Sequence, residues 1–137
     1  MMNIFIDTNI PIYAAGKEHP LKDGCVKILS AVASGDLEAY TDTEVFQEIL
    51  YRYYHISQID MGFLVFDLFS TIMSGNVLPV THRDVNQARY FAESESAAGL
   101  SPCDFIHLAV MINNGIDTIA TTDQAFTRVD TVKVYAP

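Results

Sequence analysis

The stretch that decides the architecture is Asn3-Ile4-Phe5-Ile6-Asp7-Thr8-Asn9, a short apolar β-like run that passes directly into an acid and two polar side chains. Four more runs of this kind follow at wide intervals: Leu37 to Tyr40, Val77 to Val80, Thr118 to Thr121 and Val132 to Tyr135. Helical stretches with legible ends lie between them. One is entered at Pro20 and stops at Gly35, one follows Asp60 and stops at Gly75, and one opens at Ser101-Pro102 and closes at Asn114-Gly115. Thr41-Asp42-Thr43-Glu44 and Ser101-Pro102-Cys103-Asp104 both fit a capping box, in which the hydroxyl takes one free amide and the acid reaches back to another. Strands that alternate with helices this regularly need right-handed crossovers and a mostly parallel sheet covered on both faces. The expected fold is a three-layer α/β/α sandwich with a sheet of about five strands, and residues 1–137 form a single domain.

Composition agrees with that reading and removes others. Half of the 137 residues are hydrophobic, and seven Gly with five Pro are too few for a collagen-like or disordered chain. Eight basic residues against seventeen acidic ones leave a net charge of -9, which excludes a broad electrostatic coat for nucleic acid. The longest apolar stretch, Met61 to Met73, is interrupted by Asp67 and falls short of the roughly 20 residues that span a bilayer, so no membrane anchor is expected. Its side chains point around most of a helix. This suggests a central core helix, or one with part of its surface in a homodimer contact. Cys25 and Cys103 fall in helical stretches without metal-ligand spacing or a signal-peptide pattern, which points to a reducing cytoplasm.

In a doubly wound sheet, ligands sit outside the carboxyl ends of the strands, where strand order reverses. Asp7 directly follows the first strand and Asp123 the fourth; Glu48, in the helix after strand two, and Asp104, in the first turn of the helix before strand four, can join them. Each acid also has an ordinary structural reading. Asp7 can cap a short helix beginning near Pro11, Asp104 can be only a capping-box residue, Glu48 can be a solvated helix position with Glu44 as a competitor, and Asp123 can be a turn residue. Their joint placement is what points to a divalent cation, because carboxylates gathered without one repel each other and lose hydration. Oxygen ligands favour Mg²⁺ or Mn²⁺ over zinc. His107 lies three residues after Asp104, yet a paired Glu-x-x-His site needs a second copy and the chain has none, so His107 is not read as a metal ligand.

These motifs together resemble the PIN-domain nucleases, and among them the small VapC-like toxins of toxin–antitoxin pairs, over essentially the whole chain. Ile4-Phe5-Ile6-Asp7-Thr8-Asn9 is similar to the family's first strand and first acid, and Thr43-Glu44-Val45-Phe46-Gln47-Glu48-Ile49-Leu50 to the helix bearing the second, at Glu48. Ser101-Pro102-Cys103-Asp104-Phe105-Ile106-His107-Leu108-Ala109 resembles the stretch bearing the third, and Thr121-Thr122-Asp123-Gln124-Ala125-Phe126 the closing motif with the fourth. One departure is visible: some relatives carry a further acid shortly afterwards, whereas Gln124, Ala125, Phe126 and Thr127 offer none.

The resemblance implies a metal-dependent ribonuclease that hydrolyses RNA phosphodiester bonds as the toxin of a type II pair, with a cognate antitoxin as partner. Asp7, Asp104 and Asp123 would hold the metal, Glu48 would orient water, and Thr8, Asn9 and Thr121 would steady the carboxylates. Lys17, Lys22 and Arg128 follow strand ends and could reach phosphates at the rim, although solvated surface charge is the ordinary reading of each. Tyr51, Tyr53 and Tyr54 could stack unpaired bases or belong partly to the core. Two alternatives stand beside this reading. A magnesium-dependent phosphatase of haloacid-dehalogenase type needs a second aspartate two residues after Asp7, where this chain has Asn9. A non-catalytic binding domain of the same fold would keep four clustered charges that only cost stability.

Overall fold

The computed structural model describes residues 3–94 and 99–137. Five strands, β1 (Ile4–Ile6), β2 (Ala39–Asp42), β3 (Val77–Leu78), β4 (Thr118–Ala120) and β5 (Lys133–Tyr135), form one sheet in the order β3-β2-β1-β4-β5. Every pairing is parallel, with Ile4 opposite both Ala39 and Thr118. Six α-helices stand among the described residues: α1 (Asn9–Ala15), α2 (Lys22–Ser34), α3 (Thr43–His55), α4 (Ile59–Ile72), α5 (His82–Ser94) and α6 (Pro102–Asn113). A 3-10 helix, Gln124–Arg128, lies between β4 and β5.

The chain lays β1, β2 and β3 outward in one direction, then crosses back to place β4 and β5 on the other side of β1. Right-handed crossovers therefore put α1 to α4 on one face and α5 with α6 on the other. The expected α/β/α sandwich is present. Strand order reverses between β1 and β4, so the ligand crevice of such a sheet opens at the ends of these two strands. β1 is the centre of the core, its Ile4, Phe5 and Ile6 having no solvent exposure.

Four details differ from the sequence reading. β2 begins two residues later than expected and continues through Thr41 and Asp42, which pair with Val77 and Leu78. As a result Thr41 is not a cap: its hydroxyl donates to the Ile6 carbonyl, and Asp42 is the N-cap of α3, accepting from the Val45 amide at 3.0 Å. The short first helix starts at Asn9 rather than near Pro11, and Asp7 does not cap it. α5 had no counterpart among the predicted helices. It is tied down by Asp84, which accepts from Thr81 and from Asn113 of α6.

The fourth difference concerns Met61 to Met73. Of α4, Gly62, Val65 and Phe69 are buried and Phe66 and Ile72 pack partly against the core, while Phe63, Leu64 and Leu68 are more than half exposed, so α4 is an outer helix with an apolar outer surface. Gly62 is required by the close approach of α3, since a Cβ there would stand 2.7 Å from Tyr53 Cβ. The helix enclosed on most sides is α6, which buries Phe105, His107, Leu108, Ala109, Val110 and Met111. None of the described helices is long and apolar enough to cross a membrane.

Candidate active site at the carboxyl ends of the central strands

Asp7 leaves β1 at its carboxyl end and is almost fully buried. Its Oδ1 accepts the Thr8 amide at 2.8 Å, and its Oδ2 accepts the Thr121 hydroxyl at 2.7 Å and the Asn9 amide group at 3.4 Å. Thr121 follows β4, so one hydroxyl joins the ends of the two central strands. Its oxygen also accepts the Asp123 amide at 3.0 Å and the Asn9 side chain at 3.4 Å. Asn9 completes this lattice by accepting the Thr122 amide at 3.2 Å. The Thr8 backbone amide and the Asn9 and Thr121 side chains thus hold the Asp7 carboxylate in place.

Glu48 comes from the second turn of α3. The Thr8 hydroxyl donates to its Oε1 at 2.9 Å, and His107 Nε2 donates to the same oxygen at 2.6 Å. The other ring nitrogen of His107, Nδ1, lies 2.8 Å from Asp42 Oδ2, and neither of those two side chains has any exposure. Since both neighbours of the ring are carboxylate acceptors, both nitrogens must donate, and His107 is an imidazolium. Nε2 is also 3.9 Å from Asp7 Oδ1. The sequence presents His107 only as a metal-ligand candidate and sets Asp42 inside a capping box, and nothing in its spacing joins the two.

Asp104 is held by its own helix start: the Ser101 amide donates to its Oδ2 at 2.9 Å, and its amide donates back to the Ser101 hydroxyl at 3.3 Å. The capping box is formed as predicted. Asp123 accepts the Ala125 amide at 2.9 Å as the N-cap of the 3-10 helix. Both acids therefore fill their structural roles and border the site as well.

The ionisation of the cluster shows how closely these groups sense one another. Burial pushes Asp7 up to about 6, against the pull of His107 and the Thr121 hydrogen bond, and the Asp104 charge adds to the rise. Asp104 is raised by burial too, opposed by its Ser101 contacts and helped by the Asp123 charge. Burial alone would raise Glu48, but the hydrogen bond and charge of His107 outweigh it and hold Glu48 below its ordinary value. For His107, burial favours the neutral ring, and the Asp42 charge and hydrogen bond reverse that, keeping it well above the ordinary value.

The Asp104 charge acts on Asp7 and the Asp123 charge on Asp104, so the three acids lie near one another and offer oxygen donors only. Among the described residues no three His, Cys, Asp or Glu side chains close into a cage by themselves. The donor set suits an ion that takes one or two carboxylates directly and keeps several waters, which is how Mg²⁺ binds. The basic residues are less closely placed. Lys22 Nζ donates to the Gly16 carbonyl at 2.7 Å and so closes the turn between α1 and α2; Lys17 is exposed in that turn; Arg128 ends the 3-10 helix beside Gly99. Of the three tyrosines, Tyr53 is core, and Tyr51 and Tyr54 are exposed.

Residues 4–132 match the PIN domain family. The chain is 34% identical over 123 residues to a VapC ribonuclease of Mycobacterium bovis and, to the same degree, to ribonuclease VapC13 of Mycobacterium tuberculosis, spanning 90% of this chain and 92% of each relative. Among solved structures, it superposes on the VapBC2 complex of Rickettsia felis bound to a promoter DNA fragment, with a TM-score of 0.76 at 17% identity over 99% of both chains. It also superposes on Mycobacterium tuberculosis VapC20, a toxin described as cleaving the sarcin–ricin loop, with a TM-score of 0.76 at 17% identity over 96% of this chain and 98% of that one.

Proposed function

The chain belongs to the PIN domain family, and on that premise we propose that it is a Mg²⁺- or Mn²⁺-dependent endoribonuclease, the toxin of a type II toxin–antitoxin pair. What supports the reading is the linkage of these acids near the strand-order reversal: His107 lies 2.6 Å from Glu48 and 3.9 Å from Asp7, and the Asp104 charge acts on Asp7 as the Asp123 charge acts on Asp104. Asp7 and Asp104 would hold the ion, with Asp123 bound directly or through water. A divalent ion held there lowers the pKa of water and offsets charge on the scissile phosphate. Glu48 orients the attacking water through Oε2, since Oε1 is already committed to Thr8 and His107. His107, fixed by Asp42, holds Glu48 in one position. In-line attack then leaves 5′-phosphate and 3′-hydroxyl ends, by analogy with the family.

Asn9 argues against the phosphatase alternative. Its amide group is spent on Asp7, Thr121 and the Thr122 backbone, and it has no proton to exchange where that chemistry needs an acid. The partner reading finds support in a groove away from the acid cluster, which shares none of its residues. Between α1, α2 and α4 lies an apolar groove of about 250 Å³, lined by Ala14, Leu29, Ala33, Val65, Leu68 and Ile72 among others. An amphipathic helix of the antitoxin fits such a surface. Phe63 and Leu64, outside the groove and 51% and 67% exposed, support a homodimer contact. The unpaired Cys25 and Cys103 agree with a cytoplasmic location.

The test is cleavage of RNA by the purified chain with Mg²⁺ or Mn²⁺, beside Asp7→Asn and Asp104→Asn. Cleavage is expected only from the unaltered protein with metal. Full cleavage by both variants would remove the assignment.

A further inference from the structure

Next to the acid site a second cleft, of about 320 Å³, is walled by Glu44, Gln47, Glu48, Tyr51 and Arg52 of α3 and by Cys103 of α6. Glu48 is common to both, so a group seated in this cleft lies against the carboxylate proposed to orient water. Of its other walls, Tyr51 was noted above only as one of three tyrosines able to stack on bases, and Gln47, Arg52 and Cys103 have no part in the acid site.

The chemistry of those walls selects the occupant. Two carboxylates make the cleft unfavourable for a phosphate, while Tyr51 presents a ring that is 58% exposed. That ring is backed by His55, with centroids 4.2 Å apart and planes at 29°, which limits its rotation and leaves the other face for stacking. At the inner wall Gln47 donates its amide group to Glu44 at 2.7 Å, and the Cys103 thiol donates to the same oxygen at 3.6 Å. These contacts hold the Glu44 carboxylate in place, so the wall offers its oxygens as acceptors. Arg52 is exposed and close enough to act on the charge of Glu48, which places the cleft's one cation at its mouth.

We propose that this cleft is a nucleobase subsite, which takes one unpaired base carrying an exocyclic amine, stacked on Tyr51 with its donor edge toward Glu44 and Gln47. The proposal rests on the ribonuclease reading and extends it to substrate choice. The base enters the cleft, its flanking phosphate stays outside near Arg52, and the adjoining phosphodiester reaches Glu48. Adenine, cytosine and guanine have the required amine; uracil does not. A paired base is excluded because its donor edge is occupied.

The full chain is tested in two arms, as wild type, Tyr51→Phe and Tyr51→Ala. In EDTA, binding of pentaadenylate, pentacytidylate and pentauridylate is measured by fluorescence anisotropy. Wild type and Tyr51→Phe are expected to bind the first two more tightly than the third, and Tyr51→Ala to lose about tenfold in affinity, the usual effect of removing one stacking ring. With Mn²⁺, Tyr51→Ala is expected to raise KM and leave kcat within about twofold, since the ring touches no reacting atom. Circular dichroism melting controls for folding, and little change is expected for so exposed a side chain. Cleavage by wild type with identical binding and KM in Tyr51→Ala, or equal binding of pentauridylate, overturns the subsite alone. Absence of any RNA cleavage by wild type overturns the ribonuclease reading, and the subsite with it.

Discussion

His107 and Asp42 stand 65 positions apart in sequence and meet at 2.8 Å with no solvent on either side chain, joining α6 to the end of β2. The same imidazolium holds Glu48 on its opposite edge. Removing the ring would leave Asp42 buried beside a second carboxylate with nothing to offset either charge. His107→Leu should therefore cost about 3–5 kcal/mol in urea unfolding followed in EDTA, the range for breaking a buried pair from one side. Unchanged stability would mean that the ring is not charged.

The sequence made legible those parts of the fold and site that depend on local pattern. Asp7 and Asp123 could be placed because each ends a β-like run, and Asp104 because Ser101-Pro102 announces a helix start. Asp42 was hidden by a competing local signal, Thr41, whose hydroxyl is drawn off by the neighbouring strand and never caps the helix. No periodicity links His107 to Asp42 and Glu48, because their meeting depends on how α6 crosses the sheet. α4 misleads for a related reason: the count of its apolar residues exceeds what the layer beneath can cover, and the excess faces outward.

Asp7→Asn is expected to abolish cleavage and to stabilise the metal-free protein. Burial raises Asp7 from its ordinary 3.8 to about 6, so keeping it ionised at neutral pH has a cost, at most roughly 3 kcal/mol for a shift of this size. Part of that gain is lost, because an asparagine cannot attract His107 and must place an amide group near a donor. A net increase of about 1 kcal/mol is expected by denaturant unfolding in EDTA. Mn²⁺ should then stabilise the wild type and leave the variant unmoved. Equal stabilisation of both would put the metal elsewhere.

The metal-free protein should be most stable in mild acid. Between 3.8 and about 6 the native state keeps a proton on Asp7 that the unfolded chain has released, so stability falls as pH rises through that window. His107, raised above its ordinary 6.5, contributes stability that is complete below 6.5 and lost as pH climbs through its native value. Glu48 works in the other direction: lowered from 4.5, it contributes above that pH and is lost as pH falls through its native value. Melting temperatures in EDTA should thus peak near a pH of about 4 and decline as pH rises toward neutrality and beyond. His107→Leu should flatten the upper part of the decline, and Asp7→Asn the lower. A melting temperature that rises steadily to neutrality would contradict both assignments.

The groove between α1, α2 and α4 can be separated from the acid site by a single substitution. Leu68 lines it and is 59% exposed, so Leu68→Glu removes an apolar anchor and adds a charge without emptying the core. In the proposed toxin role, binding of an antitoxin partner should weaken by about 2 kcal/mol or roughly thirtyfold, as for loss of a central interface side chain. Thermal stability and RNA cleavage by the free protein should stay close to wild type, because the groove shares no residue with the acid cluster. Asp67→Ala, next along the same helix but outside the groove, should leave binding intact. Together the two variants distinguish a specific apolar contact from a general effect of charge on α4: if both weaken the complex equally, or neither does, the antitoxin docks elsewhere.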